Sequence, residues 1–398
     1  MNNELSMMPA KYAIKYSSSP ATAVIKNQAS PECLEGYFPA YSASGQDVWL
    51  PDYSFDEDSV VLSAVGARCG KTFLAQGKFG VCANTHVLVI NQNVCLPKFF
   101  HYLSNNEEWW EKGGTAQPFV KVRETLAKKV YMPSLAKQAQ IVSFLDYQCS
   151  VLDSVIDKTR ASVSEYKKLK QSVITDAVTK GVRGKRTMKE SDVEWLGYIP
   201  VDWLSYRIAN LYDERSESGL EELPILTVSI NSGVSDHEIA DEDKDRVFVR
   251  SEDRTKYKRV YPGDLAYNMM RAWQGAFGAV RVDGMVSPAY VVAKPKPGVQ
   301  LDSRYIEALL RTPAAIEEMH RYSRGIVDFR LRLYWPEFKN IRICLPLLEE
   351  QREIADYIDQ KSAELDALIA KKEQFLAELE NYKKSLIYEY VTGKKEVQ

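Results

Sequence analysis

No run of apolar residues in this chain approaches the roughly 20 that a membrane-spanning helix needs, so a helical membrane protein is excluded. The opening stretch MNNELSMMPAKYAIKY has no apolar core of the secretory kind. The six cysteines (Cys33, Cys69, Cys82, Cys95, Cys149, Cys344) contain no C-x-x-C pair, and the four histidines (His86, His101, His237, His320) are dispersed. This pattern offers neither disulfide staples nor a zinc site, and it sets the expectation of reduced thiols in the cytoplasm. A G-x-S-x-G elbow is missing. So is the Asp/Asn-Pro-Pro-Tyr/Phe run that an adenine methyltransferase would carry. Asp264, Asp283 and Asp328 sit near glycines, where a lone acidic residue is usually a turn former. The expectation is a chain without catalytic residues, metal or cofactor of its own.

One stretch comes close to a nucleotide site. SAVGARCGKTFLAQGKFG, residues 63–80, carries Gly66, Gly70, Lys71 and Thr72. A phosphate-binding loop needs four residues between its glycines and a helix after them. Here the gap is one residue short, and Gly77, Lys78, Phe79 and Gly80 read as turn and strand.

Net charge is −2 over 398 residues, which argues against a general polyanion binder. Its distribution is uneven. Residues 133–187 carry 10 basic and 5 acidic groups, whereas residues 346–398 carry 8 and 12. Residues 1–132 balance at 12 each, and residues 188–345 carry 22 and 25.

The two segments of opposite charge are copies of each other. PSLAKQAQIVSFLDYQCSVLDSVIDK begins at Pro133 and PLLEEQREIADYIDQKSAELDALIAK at Pro346, and they align without a gap through Thr179 and Thr392. Identities include Gln138/Gln351, Ile141/Ile354, Asp146/Asp359, Leu152/Leu365, Asp153/Asp366, Ile156/Ile369, Lys170/Lys383 and Val178/Val391. Both read as long helices. A heptad frame puts Leu145, Leu152, Thr159, Tyr166 and Val173 at one apolar position of the first, with Gln148, Val155, Ser162, Leu169 and Asp176 at the other. The second gives Ile358, Leu365, Lys372, Leu379 and Leu386, with Lys361, Leu368, Phe375, Tyr382 and Glu389. Opposite charge and a shared seam favour pairing of the two helices with each other.

Strand-and-turn composition precedes each helix, at residues 59–90 and 259–293. The two regions match at an offset of 204, setting Val61 against Leu265, Phe73 against Phe277, Gly80 against Gly284, and His86 against Tyr290. A short helical stretch follows each, then a glycine with a basic alternating strand, GTAQPFVKVR from Gly114 and GIVDFRLR from Gly325.

With its two proline-led helices, the SDVEWLGYIPVDW stretch at 191–203 and the helix ends at VTKG and VTGK, the chain resembles the specificity subunit of type I DNA restriction-modification enzymes. The resemblance implies an α+β protein with a pseudo-twofold internal repeat. Two globular target recognition domains, 1–132 and 188–345, would alternate with two conserved helices, 133–187 and 346–398, paired as an antiparallel coiled coil. The first half is shorter and lacks a counterpart to EWLGYIPVDW.

The resemblance further implies that each domain reads one half of a split site on double-stranded DNA and that the helices set the spacing. Two modification subunits would dock on the chain and methylate adenine with S-adenosylmethionine. Restriction subunits would add ATP-driven translocation and cleavage. The competing reading is a coiled-coil interaction scaffold that reads no sequence. Candidate DNA-binding residues are polar or cationic side chains at turn tips, which have the donors and reach for bases and phosphates. In the first domain they are Arg68, Lys71, Asn84, His86, Lys121 and Arg123; in the second, Arg271, Gln274, Tyr290, Arg324, Arg330 and Arg332.

Overall fold

The computed structural model describes residues 7–19, 24–238, 256–326 and 330–397. Asp328 and the middle of the 325–332 segment lie outside the described residues. The chain forms two compact units, Met1–Ala161 with Glu373–Gln398, and Ser162–Lys372. Each contains a mixed α/β globular part and portions of two long helices, Leu135–Lys180 and Leu348–Val391.

In the first unit an antiparallel sheet has the spatial order Ile14–Ser18, Thr85–Ile90, Ser59–Ser63, Thr72–Ala75. Its central strands carry unbroken apolar runs because both faces are covered. Val60, Leu62 and Leu88 pack towards Phe99, Phe100 and Leu103 of the helix Pro97–Ser104 and towards Ile141 and Leu145 of the first long helix. Val61, Val87 and Val89 pack towards Phe55 and Phe79. The globular part is closed by Met7–Pro9 pairing antiparallel with Lys129–Tyr131, just before the long helix begins.

In the second unit a sheet of the same order runs Tyr212–Arg215, Tyr290–Pro295, Leu265–Asn268, Phe277–Ala279. Leu265, Tyr267 and Ala293 share a core with Tyr305, Ile306 and Leu309 of the helix Ser303–Leu310. Here the closing pair is Leu204–Arg207 with Arg342–Leu345, again immediately before a long helix.

Strand register corrects one detail of the sequence match. Val61 lies opposite Phe73 and Val87, whereas the residue opposite Phe277 and Val291 is Tyr267, not Leu265. The offset of 204 holds for the third and fourth matched strands but not for the first. Eleven residues separate Val61 from Phe73 and nine separate Tyr267 from Phe277, and a gapless alignment absorbs that difference in the wrong strand.

The basic strands expected after Gly114 and Gly325 are also revised. Phe119–Val120 pairs with Lys112–Gly113 and makes a single bridge to Val65, and Val122–Leu126 is a short helix that carries Arg123. Around Gly325 the described residues form a single bridge, Arg324 to Arg332, and no ladder.

The long helices bury one of their two expected seam positions and not the other. Leu145 and Thr159 are buried, as are Ile358, Leu365 and Leu386. The second position falls one residue later than the sequence frame placed it. Cys149, Ile156, Val163 and Ala177 are buried in the first helix and Ile369 in the second, while Val155, Leu169, Leu368, Phe375 and Tyr382 are exposed. In the first unit Asp153 ion-pairs with Lys383, Arg160 with Glu380, and the Phe144 ring meets that of Tyr390 at a tilt of 40°. In the second unit Lys170 ion-pairs with Asp366, and the Lys372 ammonium lies over the Tyr166 ring.

Candidate nucleic-acid interface

The loop after Ser63 is a turn and not a phosphate cradle. Gly66 and Gly70 both take φ of 98°, a conformation that favours glycine. A Cβ on Gly70 would sit 3.2 Å from the Glu107 backbone. Thr72 opens a strand, its N–H donates to Asn105 Oδ1, and its hydroxyl lies 3.2 Å from His101 Nδ1. The residues that would hold a phosphate are therefore engaged internally, while Arg68 and Lys71 stand exposed.

Backbone hydrogen bonds gather most first-unit candidates on this loop. Ala64 N–H donates to Asn84 O at 2.9 Å, Val120 N–H to Ala64 O at 2.9 Å, and Gly66 N–H to Pro118 O at 2.8 Å. Asn84 is the one non-glycine residue with positive φ among the described residues, 67°, a tight conformation that asparagine tolerates. Lys121 is exposed but paired with Glu124 at 3.2 Å. Arg123 is exposed on the short helix that follows. His86 is turned inward. Its Nδ1 lies 2.8 Å from Ser19 Oγ, its Nε2 is buried, and burial pushes its pKa down.

The second unit is built the same way. The Ala272–Gln274 turn follows Arg271 and ends at Gly275, whose φ of 93° lets the chain reverse against Ile316. Trp273 fastens this turn. Its indole N–H donates to Met270 O at 3.0 Å and its ring meets His320 edge-on at 5.5 Å. Gln274 is exposed and Arg271 half-buried. Leu333 N–H donates to Met269 O at 2.8 Å, which brings residues 330–334 to this loop.

Between them is an open cavity of about 580 Å³ lined by Met270, Arg324, Gly325, Arg330, Leu331, Arg332 and Tyr334. Arg324 also pairs with Glu337 at 2.5 Å. Tyr290 lies opposite Asn268 in the sheet, half-buried; burial raises its pKa and the Arg271 charge opposes the rise. Met270 and Tyr334 are cavity residues that the sequence reading passed over, since neither stands out in type or spacing.

The site is thus a pair of similar constructions, one per unit: a glycine-bearing loop at the tip of a sheet, tied by backbone hydrogen bonds to a cation-rich segment that follows the short helices. It presents donors to a polyanion and no group of three or more potential metal ligands among the described residues. No helix is long and apolar enough to cross a membrane among those residues.

The comparisons give the class of protein that this chain resembles. Residues 34–158 match the model of the type I restriction modification DNA specificity domain. The family resemblance read from the proline-led helices is borne out: the chain is related to type I restriction-modification specificity subunits, which recognise DNA. It is 24% identical over 415 residues to the type I restriction enzyme MjaVIII specificity subunit of Methanocaldococcus jannaschii, covering 96% of this chain and 90% of that one. It is 25% identical over 286 residues to the EcoBI specificity subunit of Escherichia coli, covering 66% and 57%. Its fold is similar to a solved structure from work on assembly and conformational transition of the type I R-M system, with a TM-score of 0.66 at 16% identity over 98% of both chains.

Proposed function

We propose that this chain is the non-catalytic DNA-reading subunit of a type I restriction-modification complex, with each globular part reading one half of a bipartite site. The observation that carries the proposal is the double occurrence of the loop-and-cation construction on sheets of one strand order. A split site needs two readers. In the first half Arg68, Lys71, Asn84, Lys121 and Arg123 would serve, with His86 supporting the strand behind them. In the second, Arg271 and Gln274 would meet base edges, and Arg324, Arg330 and Arg332 would meet phosphates beside Tyr290.

The finer architecture belongs to the same proposal. Domains 1–132 and 188–345 would be joined by helices 133–187 and 346–398, paired antiparallel as a coiled coil with pseudo-twofold symmetry. The ion pairs of Lys170 with Asp366 and Lys383 with Asp153 support this pairing, since an offset of 213 exchanges one pair for the other. The helices would set the spacing and dock two modification subunits, with S-adenosylmethionine held there and ATP on restriction subunits.

The test is to map methylated adenines in DNA from a host that expresses this chain with its modification subunit. A bipartite sequence methylated only when this chain is present is the expected result. Assembly of the complex without any sequence-dependent methylation would favour the scaffold reading.

A further inference from the structure

The repeat keeps a buried glutamine at the same place in each long helix. Gln138 and Gln351 are both almost wholly inaccessible. Burying an amide is costly unless its groups are bonded, and leucine would fill the same space without that cost. Gln138 is fully used. Its Oε1 accepts from Leu96 N–H at 2.8 Å, and its Nε2 donates to Val94 O at 2.9 Å and Pro133 O at 2.8 Å. Gln351 repeats the arrangement. Its Oε1 accepts from Asp302 N–H at 3.0 Å and its Nε2 donates to Pro346 O at 2.9 Å.

The residues bound are equivalent. Leu96 and Asp302 are the N-caps of Pro97–Ser104 and Ser303–Leu310, the short helices that pack beneath the two sheets. About two turns further along each long helix, Asp146 accepts from Lys98 and Tyr102, and Asp359 from Arg304. Each unit therefore has a joint in which two side chains of a long helix hold the start of the short helix. That helix supports the strands that carry the candidate reading loop.

We propose that Gln138 with the Lys98–Asp146 pair, and Gln351 with the Arg304–Asp359 pair, are positioning residues that fix the angle of each reading part on its long helix. They thereby set which separation of half-sites is methylated. This inference rests on the proposed reading of a bipartite site. None of its residues belongs to the candidate reading loops, so it governs spacing and leaves half-site sequence alone.

The experiment uses the full chain assembled with its modification subunits, wild type or carrying Gln351→Met or Arg304→Ala. Methylation rates are measured on duplexes with the native half-sites at native spacing and with one base pair added or removed. Both variants should raise the rate ratio of altered to native spacing about tenfold, the effect of losing roughly one net hydrogen bond from the joint. The bases required in each half-site should not change. A wild-type ratio in Arg304→Ala overturns the proposal, even where Gln351→Met does not fold. Altered base preference at unchanged spacing also overturns it. If the wild-type complex methylates no bipartite sequence at all, the underlying function fails, a result distinct from either of these.

Discussion

Lys170 stands to Asp366 as Lys383 stands to Asp153, with nitrogen and oxygen 2.6 Å apart in both pairs. The two lysines are equivalent positions of the repeat, and so are the two aspartates. Each helix gives a cation and an anion to the other.

The pairs are half exposed, so their individual strength is modest. A double-mutant cycle on Lys383 and Asp153 should give a coupling of about 0.3–1 kcal/mol in urea unfolding, fading as salt is added. Exchanging the two residues should recover most of it. A coupling of zero at low salt would separate these side chains in solution.

Leu365 and Leu368 are both leucines of the second long helix, yet only Leu365 is buried. Leu365→Asp should cost about 3 kcal/mol or more by placing an unpaired carboxylate in the seam. Leu368→Asp should change stability by no more than about 0.5 kcal/mol. Equal costs in denaturant unfolding would return the seam to the sequence-derived frame.

Burial, helped by the nearby Lys98 charge, holds His101 down to about 4 from an ordinary 6.5. A depressed histidine contributes stability that is present above its unfolded pKa and lost as pH falls through the folded value. The first unit should therefore lose about 2 kcal/mol between pH 7 and pH 5. His101→Gln should flatten that slope. Urea unfolding at the two pH values checks it, and an unchanged slope in the variant would assign the loss to other groups.

Arg271→Ala should cost about 1–3 kcal/mol of binding and relax choice at one position of one half-site. Arg332→Ala should weaken binding to all sequences alike and lower the salt slope by about one. Methylation mapping and binding across salt separate the two roles. Unchanged affinity and specificity in Arg271→Ala would remove its loop from the interface.

Much of this was legible in the sequence, and the misses have physical causes. Identities between the two helices picked out Gln138, Asp146, Asp153 and Lys170, which are the residues that make the joints and the paired charges. The first seam position was legible because Leu145, Leu152 and Ile358 leave little choice. The second was displaced by one residue because Leu169 and Tyr382 are more apolar than the residues that follow them, Lys170 and Lys383. Burial follows geometry, and large apolar side chains are not obliged to be inside. The helix turns 3.6 residues, so spacings of three and four compete at every turn.

For the site, residue type and loop placement found most of the cations. Missed were the side chains that Met269 and Leu333 bring together, a contact set by tertiary packing. His86 stands among the candidates by residue type and loop placement, yet its Nδ1 lies against Ser19 and its Nε2 is buried.

The closing strands carry a consequence for how such a protein diversifies. Met7–Pro9 lies against Lys129–Tyr131, and Leu204–Arg207 against Arg342–Leu345, so the backbone enters and leaves each globular part side by side. Two crossovers in a gene, one at each closing strand, would replace everything hung between them and leave both long helices untouched. Such an exchange would swap one globular part whole, with the sequence of both long helices inherited unchanged.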